Sequence, residues 1–249
     1  MKNIIKTLIW VTAFAIAMGF LETSVVVYLR ALYYPHGFGF PMKTIDHGNG
    51  VTEFWRELAT LVMLFAAGYI AGKDRASRFA YFIYSFAIWD LFYYVFLKVL
   101  LDWPESLMTW DLLFLIPMPW VGPVLAPCIV DFTMIVLAFI ILKYSEQGLK
   151  ARLIRPERWL IILGCAVIIV TFVKDYVSNL YANHDFDIWT PMGKSELFAD
   201  FMTFVPDSYS WWLFAIGEIC LLSSIYMYQI RMKKQAERAM QPSLISVRP

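Results

Sequence analysis

Six apolar stretches divide this chain, and each is about as long as the ~20 residues that a helix needs to cross a lipid bilayer. They span residues of about 5–33, 53–72, 79–101, 121–143, 158–181 and 209–230. Apolar residues make up 60% of the 249 residues and charged residues only 16%, which is typical of a polytopic membrane protein. The sequence therefore predicts an all-α fold, a six-helix transmembrane bundle in one integral membrane domain, with residues 231–249 as a tail.

The basic residues predict the orientation of this bundle. Fifteen of the 21 Lys and Arg residues fall in the segments 2–6, 73–78, 143–158 and 231–248, which alternate along the predicted spans. By the positive-inside rule these segments face the cytoplasm. We therefore expect a multi-pass protein of a cell membrane, of the bacterial inner-membrane type, with both termini cytoplasmic.

The segment between the third and fourth predicted spans is too short to cross a bilayer. In "TWDLLFLIP", Thr109 is a plausible N-cap, Asp111 lies in the first turn, and Pro117 stops a helix. This pattern predicts a short interfacial or re-entrant helix between spans 3 and 4. A re-entrant backbone must be buried in protein or line a cavity.

Ionisable residues inside the spans are the most informative feature for function. The predicted spans and their outer ends carry seven acids: Glu22, Glu53, Glu57, Asp90, Asp131, Asp175 and Glu218. They carry four bases, Arg30, Arg56, Lys98 and Lys174. Because a charge at mid-bilayer costs ~2.5–3.5 kcal/mol on insertion scales, these groups must meet each other, water or a bound cation. Their depths predict one polar chamber that opens to the outside.

The candidate substrate- or ion-binding residues follow from this chamber. They are Glu22, Glu57, Asp90, Tyr94, Lys98, Asp131, Lys174, Asp175 and Glu218. We expect Lys98 and Lys174 each to lie within salt-bridge or one-water reach of a carboxylate from another span. Asp131 and Glu218 are candidates for Lys98, with Asp90 of the same span as a third member, and Glu22 and Glu57 are candidates for Lys174. The competing interpretation is that these pairs only fix the register between helices.

Several kinds of site are excluded or left unassigned by the composition. The three histidines, His36, His47 and His184, lie outside the predicted spans, so no haem is expected within them. No basic stripe of the kind that nucleic acid binding needs is present. The sequence identifies no catalytic residue, metal or cofactor.

Three classes of function remain compatible with the sequence. The favoured one is proton- or cation-coupled transport or solute binding, because intramembrane carboxylates that change protonation are what coupling uses. The first alternative is a membrane enzyme that acts on a lipid-like substrate with carboxylate acid–base chemistry or an oxygen-ligated metal. The second is a non-catalytic subunit of a larger membrane complex, which adds other membrane subunits to the lipid bilayer as partners.

Overall fold

A computed structural model describes residues 2–43, 45–183 and 204–240 of the chain. It contains six long helices and one two-stranded hairpin. The helices are α1 (Lys2–Tyr33), α2 (His47–Ala71), α3 (Arg75–Leu101), α4 (Leu125–Glu146), α5 (Arg155–Asn183) and α6 (Trp211–Met240). The strands between α3 and α4 are β1 (Trp110–Phe114) and β2 (Trp120–Pro123).

All six helices are long and apolar enough to cross a membrane, so the prediction of an all-α transmembrane bundle is confirmed. The chain is a multi-pass integral membrane protein. Many large apolar side chains point outward, where lipid replaces a protein core as their surroundings. Residues 231–240 of the predicted tail continue helix α6, and residues 241–249 lie outside the described part of the chain.

The α2–α3 connection shows how local sequence sets a helix boundary. Asp74 caps α3 by accepting hydrogen bonds from the amides of Ala76 and Ser77, and the Ser77 side chain completes a capping box. At Gly68, an added Cβ would lie 2.6 Å from the backbone nitrogen of Phe82. The absence of a side chain at Gly68 therefore lets α2 pack closely against α3.

The segment predicted as a short interfacial or re-entrant helix is instead an antiparallel hairpin. Trp110 pairs with Pro123, and Asp111 pairs with Gly122. The apolar run before Pro117 gives only about two turns, which is too short for a stable isolated helix. Aromatic and β-branched residues favour extended structure, and the prolines of the turn have no N–H for a helix to use. We call residues 110–123 the hairpin.

Helix α3 lies at the centre of one half of the bundle and packs against α1, α2 and α4. Helix α5 packs against α6, and α6 also contacts α4. The hairpin lies where α1, α3 and α5 end and α2, α4 and α6 begin, and we call this the hairpin end. The opposite end carries the basic segments, and there Glu157 of α5 forms an ion pair with Arg231 of α6 at 2.7 Å.

Candidate functional site

Two carboxyl groups meet in the interior of the bundle. The side chains of Asp90 of α3 and Asp131 of α4 lie side by side, within reach of a hydrogen bond to each other. Asp131 is only 1% exposed, whereas Asp90 is partly buried. A hydrogen bond between two carboxyl groups needs a proton on one of them, because two carboxylates have no donor to share. This arrangement, which we call the carboxyl pair, can therefore hold one proton.

A cavity of about 100 Å³ lies beside the carboxyl pair. Its wall combines residues from α3, α4, α5, β1 and β2, so it forms only when the hairpin is in place. Asp90, Asp131 and Tyr94 are its polar or ionisable lining residues apart from two tryptophans. No Lys, Arg or His lines it among the residues that the structure describes. The cavity is thus acidic on one side and largely apolar elsewhere.

An arginine and a tyrosine hold the hairpin in the bundle. Arg30 Nη2 of α1 lies 3.6 Å from Oδ1 of Asp111 in β1, and the Tyr94 hydroxyl donates a 3.3 Å hydrogen bond to Oδ2 of the same carboxylate. The Arg30 guanidinium also stacks 3.8 Å from the ring centre of Trp103 and 4.4 Å from that of Phe38. We call Arg30, Tyr94 and Asp111 the hairpin contact.

Asp111 lies outside the transmembrane helices but is almost fully buried, at 1% exposure. Burial raises the pKa of its carboxyl from 3.8 to about 6, and the positive charge of Arg30 limits the rise. Because Tyr94 contacts Asp111 and also lines the cavity, the hairpin contact adjoins the carboxyl pair.

A second acidic cluster lies between α1 and α2 near the hairpin end. Arg56 forms ion pairs with Glu22 of α1 and with Glu53, one turn earlier on α2. Glu57 is buried and accepts a 3.0 Å hydrogen bond from the backbone amide of Leu115, in the hairpin turn. This cluster therefore attaches α2 to both α1 and the hairpin.

Glu218 lies apart from the carboxyl pair. It is buried on α6, and its Oε2 accepts a 2.9 Å hydrogen bond from the hydroxyl of Thr133 on α4. Glu218 does not line the cavity. Of the nine sequence candidates, the structure brings Asp90, Tyr94 and Asp131 together at the cavity and places Glu22 and Glu57 in the neighbouring cluster.

The two lysines do not take the partners that the sequence predicted. Lys98 is half-exposed at the hairpin end, where it pairs with Asp102 at 2.7 Å and donates to the carbonyl of Pro104 at 3.1 Å. The prediction of a partner from another span is therefore wrong for Lys98. Its long side chain reaches past the end of α3, where polar groups are available without burying a charge.

Lys174 pairs with Asp175 of its own helix at 2.8 Å. Neither predicted partner contacts it, because Glu22 pairs with Arg56 and Glu57 accepts the Leu115 amide. The carboxylates of the cavity thus have no amine beside them on the described cavity wall.

Sequence reasoning missed Asp111 and the aromatic cavity wall. Asp111 was expected at the first turn of a surface or re-entrant helix, which gave it no partner in the bundle. A usable signal was present, since a lone acid within an apolar, proline-rich segment too short to span a bilayer needs a buried partner. The wall residues Trp89, Trp120 and Phe172 carried no comparable signal, because aromatic residues are common throughout this chain.

Within the described part of the chain, no three His, Cys, Asp or Glu side chains lie close enough together to hold a metal ion. Comparisons with models of known protein families, with curated proteins and with solved structures found no match for this chain.

Proposed function

We propose that this protein exchanges protons for cations across the membrane, with the carboxyl pair as the binding site that the two share. One observation carries the proposal: Asp90 and Asp131 contact each other beside a cavity whose described wall has no basic side chain. Intramembrane carboxyl groups without a basic partner are typical of proton relays and cation pathways.

The chemistry of the carboxyl pair explains why a proton and a cation would compete. Two carboxylates side by side in a low-dielectric interior repel each other, and a shared proton removes one of the two charges. A bound cation neutralises the same charge. Each ligand therefore weakens the binding of the other, and this negative linkage is the thermodynamic basis of exchange.

The charges around the carboxyl pair leave the pair itself as the unmatched charge. Asp111 of β1 and Glu22 of α1 act electrostatically on Asp90, but Asp111 is matched by Arg30 and Glu22 by Arg56. The negative charge that remains at the cavity is therefore that of the carboxyl pair, which would raise the local concentration of cations.

The orientation predicted from the basic segments completes the proposal. If those segments are cytoplasmic, the hairpin end faces outward and the cavity is reached from the outside. Transport then requires a second conformation that opens the cavity toward the basic end. The hairpin is the element whose displacement would change access, because its residues form part of the cavity wall.

The proposal can be tested without knowledge of the substrate by carbodiimide labelling. Carbodiimides modify protonated carboxyl groups in apolar surroundings, and mass spectrometry identifies the modified residue. In purified protein in lipid nanodiscs, we expect labelling of Asp90 or Asp131 that falls as the pH rises, because only the protonated carboxyl reacts. Because the shared proton needs both acids, Asp131→Asn should change the pH dependence of labelling at Asp90.

The matched control is Glu105→Gln, which removes the same charge from an exposed loop residue. This variant should label like wild type. The proposal fails if neither Asp90 nor Asp131 is labelled at any pH, or if their labelling does not depend on pH. If the labelling does depend on pH, a second measurement separates proton–cation exchange from simple proton storage. Adding cations to the same protein should release protons into the solution.

A further inference from the structure

The cavity beside the carboxyl pair has an aromatic wall. Six aromatic side chains line it, from two helices and the hairpin: Phe86, Trp89, Tyr94, Phe114, Trp120 and Phe172. The rings of Trp120 and Phe172 are stacked, with centroids 6.1 Å apart and an interplanar angle of 18°. Aromatic faces carry negative electrostatic potential and attract cations, including ammonium groups.

Apart from the interaction within the carboxyl pair itself, three polar atoms of the lining residues are buried without a hydrogen-bond partner among the described residues. They are Oδ2 of Asp131 and the indole Nε1 atoms of Trp89 and Trp120. A buried polar atom that is left unpaired is unfavourable, so such atoms usually mark the place of a missing partner. The carboxyl oxygen needs a donor, and the two indole N–H groups need an acceptor.

These requirements exclude most simple ligands. An anion would satisfy the indoles but would face two acids with no basic residue on the described wall. An alkali metal ion would satisfy the carboxyl oxygen but would not accept from an indole. A ligand with an ammonium group and an acceptor oxygen satisfies both kinds of atom and places its cationic end near aromatic faces.

The volume limits the size of this ligand. A cavity of about 150 Å³ accommodates benzene, so about 100 Å³ accommodates about four non-hydrogen atoms. An ammonium group, a two-carbon linker and a hydroxyl group have this size.

We infer that the cavity binds a small amino-alcohol cation of the size of ethanolammonium, with its ammonium group on the carboxyl pair and its hydroxyl oxygen accepting from Trp89 or Trp120. This inference rests on the proposed function and names the class of cation that exchanges with the proton. The ammonium group replaces the shared proton, so binding releases a proton to solvent.

Isothermal titration calorimetry on the full-length protein in nanodiscs tests the inference with four probes of similar size: ethanolammonium, propylammonium, acetate and ethylene glycol. We expect ethanolammonium to bind tightest, propylammonium several-fold more weakly because it lacks the acceptor oxygen, and the anion and the neutral diol not to bind. Repeating the titration in buffers of different ionisation enthalpy measures the proton released. We expect about one proton per bound ligand.

Three variants assign the two ends of the ligand. Asp131→Asn should weaken the binding of both ammonium ions at least tenfold, as expected for losing a hydrogen bond to a charged group. Trp120→Phe and Trp89→Phe keep a ring and remove the N–H, so at least one of them should abolish the preference for ethanolammonium over propylammonium. Glu105→Gln is the charge-matched control and should bind like wild type.

Binding of acetate or ethylene glycol in preference to ethanolammonium overturns the inference. It is also overturned if no probe binds, or if propylammonium binds as tightly as ethanolammonium. Carbodiimide labelling needs no ligand, so its outcome does not depend on whether any of the four probes binds. A labelled carboxyl pair in a protein that binds none of the four probes therefore refutes the amino-alcohol inference and leaves the proposed function standing.

Discussion

Replacing Arg30 with methionine should weaken the fold chiefly by removing the counter-charge of Asp111. The carboxylate would remain buried with the hydroxyl of Tyr94 as its side-chain hydrogen-bond donor, at 3.3 Å. Removing one partner of a buried ion pair typically costs ~3–5 kcal/mol. Because Asp111 is 1% exposed, we expect Arg30→Met to lower the free energy of unfolding by an amount in this range near pH 8.

The reverse substitution should cost less. In Asp111→Asn the Arg30 guanidinium keeps its positions over the rings of Trp103 and Phe38, and a desolvated cation–π contact contributes about 2 kcal/mol. The double variant should therefore be more stable than the sum of the two single losses implies, since it strands neither charge. We expect a coupling energy of at least about 1 kcal/mol.

The pKa of Asp111 predicts how the loss of stability in Arg30→Met depends on pH. The folded protein raises the pKa of Asp111 from 3.8 to about 6, so between these values the folded state binds more protons than the unfolded state. The stability contributed by the neutral carboxyl is present below about pH 4 and is lost as the pH rises through about 6. A difference of about two pKa units corresponds to ~3 kcal/mol. Without Arg30 the pKa of Asp111 rises further, so Arg30→Met should be less destabilising at pH 5 than at pH 8.

Equilibrium unfolding by SDS in mixed micelles, followed by tryptophan fluorescence at pH 5 and pH 8, measures these differences. Two of the ten tryptophans that contribute to this signal, Trp103 and Trp110, lie near the hairpin contact. Additive losses in the double variant would refute the assigned ion pair. So would an Arg30→Met penalty that is equal at the two pH values.

Three further predictions test the fold. Gly68→Ala places a methyl group 2.6 Å from the backbone nitrogen of Phe82, so α2 must move away from α3. The free energy of unfolding should therefore fall by about 1–3 kcal/mol. An unchanged midpoint in the SDS titration would contradict this packing. Glu157→Gln leaves its arginine partner, 21% exposed, without a counter-ion, and the same titration should show a loss of ~2–3 kcal/mol, less than for a fully buried pair. In a cysteine-free background, a membrane-impermeant maleimide should label Asn49→Cys but not Gln147→Cys in intact cells, and the reverse pattern would overturn the predicted orientation.

The sequence alone predicted the six transmembrane helices, because the free energy of inserting a helix is close to a sum over its own residues. Each apolar stretch could be assessed without reference to the others. The same locality made Asp90 and Asp131 conspicuous, since an acid within an apolar stretch is costly wherever its partner lies. Residue positions also limited the kinds of site. Because the three histidines lie outside the predicted spans, no haem site was expected within them.

Tertiary structure alone decided which of these groups meet. Whether Asp90 faces Asp131 depends on the rotation of α3 against α4, and short-range sequence patterns do not specify that angle. Residues 110–123 form a hairpin because Asp111 and the Leu115 amide find partners on α1, α3 and α2, which are distant in the chain. Lys98 was misassigned for the related reason that a flexible side chain near a helix end can reach polar groups beyond it. Hydrogen bonds and ion pairs are short-ranged and directional, so their partners are fixed only once the helices have packed.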